Sequence, residues 1–147
     1  MWSREQIEKR LINQGLQGRT WGRRGHEVVQ KLEAELKFSL DLDLALFAES
    51  IGNLMVDPFS IIVTGDTYGE MTCLTESKNI GLLDSSSRIK GIKIMDHAGE
   101  SYIYIRGKSV VNVYDSMYLD SNNIIMQFNN LSQFIDWIIK EAKLIQE

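Results

Sequence analysis

The chain has 147 residues, 44% of them hydrophobic and 24% charged, which is typical of one globular domain and excludes a fully disordered chain. Its single cysteine, Cys73, excludes an internal disulfide framework and a cysteine-rich zinc module, and this favours a reducing, cytoplasmic location. No apolar run is long enough to cross a membrane, no signal peptide is visible at the start, and a net charge of −4 argues against a broad nucleic-acid-binding face.

The first third of the chain predicts three helices. Residues 4–14 form the first, because Ser3 and Gln6 have the spacing of a capping box. Glycines punctuate residues 15–25, which we predict to be a loop. Apolar residues recur on one face of residues 26–38, and again after Asp41, which we expect to cap a third helix ending near Gly52.

After Pro58 the hydrophobic period changes from that of a helix to that of a strand. Cys73 lies in an ambiguous segment, residues 68–83, where we expect it to be buried and inert on a strand. Glycine-containing tight turns between the later strands predict antiparallel neighbours. The expected strands are residues 59–64, 89–95, 101–106 and 109–115, with 123–128 as a further candidate.

The clearest helix closes the chain. Asn130 and Gln133 have capping-box spacing, and an apolar stripe runs from Leu131 to Ile145, with Trp137 at its rim. The element order predicts a single α+β domain over residues 1–147. Helices precede a central antiparallel meander of about four to six strands, and an amphipathic C-terminal helix packs on that sheet.

Charge is unevenly distributed along the chain. Residues 38–83 contain seven acidic side chains and one basic one, whereas residues 1–37 carry an excess of positive charge. If the acidic side chains share a surface, they would attract a basic partner; alternatively, each is a solvated residue at a turn or helix end. The seven are Asp41, Asp43, Glu49, Asp57, Asp66, Glu70 and Glu76.

A catalytic or metal centre is not indicated by the sequence. Cys73 has no histidine close in sequence, no pair of residues has zinc-ligand spacing, and Asp41 and Asp43 lack the remaining ligands of a calcium loop. We therefore expect no metal, no cofactor and no enzymatic activity. The combination of Arg19, Trp21, Arg23 and Arg24 could hold an anion or a nucleotide base, or could be a basic loop packed over the helices.

Five short stretches together resemble the SUKH superfamily, a group of mostly bacterial immunity proteins that also includes fungal cell-wall regulators. The stretches are residues 32–40, 44–53, 92–104, 110–114 and 130–135, so the resemblance covers about residues 26–146. The chain departs from the family pattern at Asp41, where the family has a proline, and at Gly52-Asn53, where it has two glycines.

This resemblance implies binding without chemistry. Members are thought to neutralise a toxin, often a nuclease, by occluding it. Nuclease toxins are commonly basic, so an acidic inhibitor gains association rate from charge and affinity from a few buried anchors. The expected partner is a cognate, basic toxin domain. We expect the acidic block to face this toxin, with Tyr68, Tyr102 and Tyr118 as candidate aromatic anchors, and the chain to be a monomer or weak dimer.

Two other functions remain open from the sequence. A small acidic secretion chaperone or adaptor has similar length and charge, and the terminal helix could form its dimer face; three helices before the sheet argue against it. The third hypothesis is a nucleotide- or anion-binding sensor or an enzyme that uses the arginine loop, and it predicts that a small ligand raises the melting temperature.

Overall fold

The computed structural model describes residues 3–65 and 72–147. Its helices in these residues are α1 (Arg4–Asn13), α2 (His26–Leu36), α3 (Leu42–Ser50), α4 (Cys73–Asn79) and α5 (Leu131–Gln146). Its strands there are β1 (Gly18–Trp21), β2 (Asn53–Val56), β3 (Phe59–Ile62), β4 (Gly91–His97), β5 (Glu100–Ile105), β6 (Val110–Asp115) and β7 (Met126–Phe128).

The α+β class and the C-terminal helix packed on a sheet are confirmed. The strands form two antiparallel sheets rather than one meander: a first sheet in the order β1-β2-β3 and a second in the order β4-β5-β6-β7. Tight turns join β4 to β5 and β5 to β6, as the glycines at these positions predict.

The strands β1 and β2 of the first sheet were not expected. Residues 18–21 were predicted to be loop, but they form β1, in which Arg19 pairs with Met55 and Thr20 with Leu54 of β2. The cause is long-range: four residues between glycines have no recognisable period of their own, and they become a strand only because β2 offers them a hydrogen-bonding edge.

The predicted helix boundaries hold within two residues, whereas two side-chain roles differ. Asp41 stands at the N-cap of α3, but its side chain makes no capping bond. Cys73 is buried as expected, but it begins α4 rather than lying on a strand. The α4 helix forms there because the Thr72 hydroxyl accepts the backbone N–H groups of Leu74 and Thr75.

One apolar core joins both sheets to the helices. The stripe of α5 lies inside it, because Phe134, Ile135 and Ile139 are fully buried, each contributing about 1.5–3 kcal/mol by burial. Trp137 packs at the rim against Phe59 and Phe128, as predicted. A smaller cluster, Leu82, Ile89, Ile103 and Tyr114, covers the other face of the second sheet.

Candidate protein-binding surface

Asp41 and Asp43 hold the start of α3 against the turn between β5 and β6. Both carboxylate oxygens of Asp41 accept the backbone N–H of Gly107, at 3.0 and 2.8 Å. The Tyr104 hydroxyl donates to Asp43. Burial, with the Asp43 hydrogen bond adding, raises the pKa of Tyr104. These two acids therefore serve the fold, and their carboxylates are already committed inside the chain.

The other described members of the acidic block lie in three further places. Glu49 lies in the last turn of α3, where its backbone carbonyl accepts the N–H of Gly25. Asp57 precedes β3, and its carbonyl accepts the side-chain amide of Gln146. Glu76 forms an ion pair with Lys93, 3.1 Å away. The described members of the block therefore stand in different elements, and their sharing of one acidic surface stays a prediction. Asp66, Tyr68 and Glu70 lie outside the described residues.

Lys93 is the buried cation of the second sheet. Its ammonium group lies between Glu76 and Asp96, beside a cleft of about 220 Å³. Burial lowers the pKa of Lys93, but the hydrogen bonds to Asp96 and Glu76 outweigh it, and the net direction is upward. The ammonium therefore stays charged and ties α4 to β4.

The four residues of the arginine loop are only partly brought together. Arg23 and Arg24 line a cavity of about 400 Å³ with Lys31 of α2, but Glu27 and Glu35 line it too. Arg19 and Trp21 lie on β1 instead. Two carboxylates among the lining groups offset the positive charge, so the cavity offers no strongly cationic site for an anion.

Arg4 was not singled out by the sequence, yet it organises this region. Its guanidinium donates to the carbonyls of Trp21, Gly22 and Ile51. Burial lowers its pKa, and nearby Arg24 lowers it further. The Arg4 side chain therefore fixes the loop after β1 to the end of α3.

Two of the three candidate tyrosine anchors, Tyr102 and Tyr118, lie in the described residues, and they differ in exposure. Tyr102 is 2% exposed and stacks on Phe134 inside the core, so the prediction that it anchors a partner is wrong. Tyr118 is 74% exposed and projects from the segment between β6 and β7.

This segment, residues 116–125, is here called the β6–β7 loop. It carries four of the ten large apolar side chains that are exposed among the described residues. They are Met117, Tyr118, Ile124 and Ile125. Single exposed apolar residues are ordinary, but a group confined to one loop is typical of a surface that binds another protein.

The β6–β7 loop is ordered by its own hydrogen bonds. The Asp115 carboxylate accepts the N–H of Met117 at 2.8 Å, and the Asp120 carboxylate accepts that of Asn122 at 3.0 Å. Ile125 donates its N–H to Val113 of β6, which closes the loop at its base. The apolar side chains are therefore presented by a fixed backbone.

Charge is separated along the strands of the second sheet. At one end Glu100 pairs with Asp115, and the N–H of Ser116 donates to Gly99, which joins the β4–β5 turn to the β6–β7 loop. We call Glu100, Asp115 and Asp120 the acidic end; Asp120 also lines a cavity with Arg88. No ion-pair partner reaches these three within the described part of the chain. The opposite end carries Lys90, Arg106 and Lys108, and Arg106 donates its N–H to Lys90; the Asp41 carboxylate, bound to Gly107, offsets part of this positive charge.

The sequence analysis named Tyr118 but missed the rest of this surface. One signal was present: residues 109–139 contain three aspartates and no lysine, arginine or histidine. The exposure of Met117, Ile124 and Ile125 depends on how the loop leaves the sheet, and no local pattern reports it.

Among residues 3–65 and 72–147, no group of three or more histidine, cysteine or acidic side chains is placed to hold a metal ion. None of the helices in those ranges is long and apolar enough to cross a membrane. No family model matches the chain, and the search of curated proteins returns no significant match.

Proposed function

We propose that the chain is an immunity protein: it binds a cognate bacterial toxin domain, a basic nuclease, and neutralises it by occlusion in the cytoplasm without catalysis. The observation that carries the proposal is the set of exposed apolar side chains on the ordered β6–β7 loop. Aromatic and methionine side chains are enriched where proteins bind one another, and a preordered loop loses little entropy on binding. The resemblance in sequence and the net charge of −4 agree with this function.

The secretion-chaperone hypothesis loses one of its supports, the dimer face on the terminal helix. That hypothesis uses the apolar stripe of α5 as a dimer face, but Phe134, Ile138 and Ala142 are buried in the core of the same chain. A stripe that already packs on its own sheet is not available to a second copy.

Growth rescue tests the proposed function. Candidate toxin domains from the source genome would be expressed in a host cell, each with and without this chain. We expect one toxin to be neutralised, and the purified pair to elute as one complex in size-exclusion chromatography. Continued killing by every candidate, despite an excess of folded chain, would contradict the proposal.

A further inference from the structure

We propose that the acidic end of the second sheet, together with the β6–β7 loop, is the face that contacts the toxin, and that it fits a basic surface surrounding an apolar hollow. This inference rests on the proposed function and specifies its contact surface. It differs from the expectation for the acidic block of residues 38–83, because it uses carboxylates outside that block.

Met117 and Tyr118 are identified as the anchors because they are exposed and lie on an ordered turn. Met117 is 84% exposed and Tyr118 is 74% exposed, and they are adjacent on a turn held by Asp115. Side chains that protrude from a fixed backbone can enter a hollow of a partner without reorganisation, which is how a few residues come to dominate an interface.

The charge around the anchors indicates the charge of the partner's surface. Glu100, Asp115 and Asp120 lie beside these anchors, and none of them has an ion-pair partner among the described residues. Unpaired carboxylates around an apolar centre repel an acidic surface and attract lysine and arginine side chains. The occupant is therefore a basic protein surface.

Two double variants separate the apolar and the charged contributions. Met117→Ala with Tyr118→Ala removes the anchors. Asp115→Asn with Asp120→Asn removes two charges, while an amide oxygen can still accept the N–H groups of Met117 and Asn122. The matched controls are Ile12→Ala with Leu144→Ala, exposed apolar residues of α1 and α5, and Glu27→Gln with Glu35→Gln, exposed acids of α2.

The first probe is the toxin that growth rescue identifies. We expect removal of the anchors to raise its Kd at least roughly 30-fold, the scale of a hot spot. We expect the asparagine pair to lower the association rate about 10-fold at low salt and to flatten its salt dependence. Both controls should stay within about 2-fold of wild type. Wild-type affinity in both test variants, with protection intact, would overturn the face and leave the proposed function standing.

The second probe is a decalysine peptide. It tests whether the acidic end is the binding face even if growth rescue identifies no toxin. Titrated against the labelled chain, it should shift the amide NMR signals of Glu100, Asp115 and Asp120 more than those of Glu27 and Glu35. Shifts centred on any other acidic region would overturn the proposal. Sedimentation that shows wild-type self-association, abolished by the asparagine pair, would identify the occupant as a second copy and also overturn it.

Discussion

Asn53 is the residue on which the loop after β3 depends. Its side-chain oxygen accepts the N–H groups of Val63, Thr64 and Gly65. Its amide nitrogen donates to the carbonyl oxygen of Gly65, and the two atoms are 2.7 Å apart. It is fully buried. The resemblance places a second glycine at this position, and here the asparagine side chain supplies bonds that a glycine could not.

We predict that Asn53→Ala destabilises the fold by about 3 kcal/mol, because three buried N–H groups lose their acceptor and only some regain one through water. The free energy of unfolding in urea measures the loss. Asn122→Ala, on the exposed β6–β7 loop, is the control and should change it little. Equal stability of the two variants would contradict the role given to Asn53.

Alkaline pH should weaken the fold through buried acids that stay protonated. Burial, with Glu100 adding, raises the pKa of Tyr102 to about 12, and burial raises the pKa of Cys73 to about 12. A group whose pKa is raised by folding stabilises the folded state below its unfolded pKa, and that stability is lost as pH rises through the folded value. The window therefore opens near pH 9 for Cys73 and near pH 10 for Tyr102, and it closes near pH 12.

We predict that Tyr102→Phe loses less stability than wild type between pH 9 and about pH 12. The variant keeps the aromatic ring but lacks the hydroxyl group that ionises. Melting temperatures across that range measure the difference. Tyr118→Phe is the control: its ring is exposed, and the variant should follow the wild-type curve. If Tyr102→Phe follows it as well, ionisation of Tyr102 is not linked to folding.

At the scale of elements, short contacts join parts of the chain that are far apart in sequence. Asp41 binds the turn between β5 and β6, and the Ser77 hydroxyl of α4 accepts the N–H of Lys93 while donating to Cys73. Each contact fixes a helix against the second sheet. Acidic side chains that look available in the sequence are in this way used by the fold.

We predict that Asp41→Ala lowers the free energy of unfolding by about 1.5 kcal/mol, because the N–H of Gly107 and the hydroxyl of Ser109 lose a charged acceptor. Toxin affinity should remain unchanged. Urea unfolding and a binding titration measure the two quantities, and Glu35→Ala on α2 serves as a control of equal charge. If the variant lost much of its toxin affinity but kept the wild-type free energy of unfolding, Asp41 would belong to the contact surface.

Helices α1, α2, α3 and α5 were predictable because each carries its own apolar period, whereas α4 lies in residues 68–83, which the sequence left ambiguous. Ser3 and Asn130 form the predicted caps, with Gln6 and Gln133 donating their backbone N–H groups. β1 was not predictable, because a strand of four residues becomes recognisable only beside its partner β2. For the candidate surface, aromatic identity pointed to Tyr102 and Tyr118 alike, and only burial distinguished them.

At the scale of the whole molecule, α5 determines which surfaces remain free. Its apolar stripe is covered by the strands of both sheets, whereas the β6–β7 loop projects beyond them. Among the described residues, the β6–β7 loop therefore carries the largest group of exposed apolar side chains, and the others are spread over α1, α3, α5 and Leu83.

We predict that the isolated chain is a monomer at micromolar concentration, because the residues that would form a helical dimer face are inside the core. Sedimentation equilibrium gives the mass directly, and the expected value is 16.8 kDa. A stable dimer that persists when Tyr118 and Met117 are replaced by alanine would favour the chaperone hypothesis.

The separation of charge along the second sheet has a consequence for how the molecule turns in solution. Strands of six residues, such as β5 and β6, span about 20 Å, whereas the Debye length is about 8 Å at physiological ionic strength. In dilute buffer the two ends act together as an electric dipole, which rotates the acidic end toward a basic surface before contact. At physiological salt each end is screened from the other, so a protein approaching Asp120 does not sense the cations at Lys108.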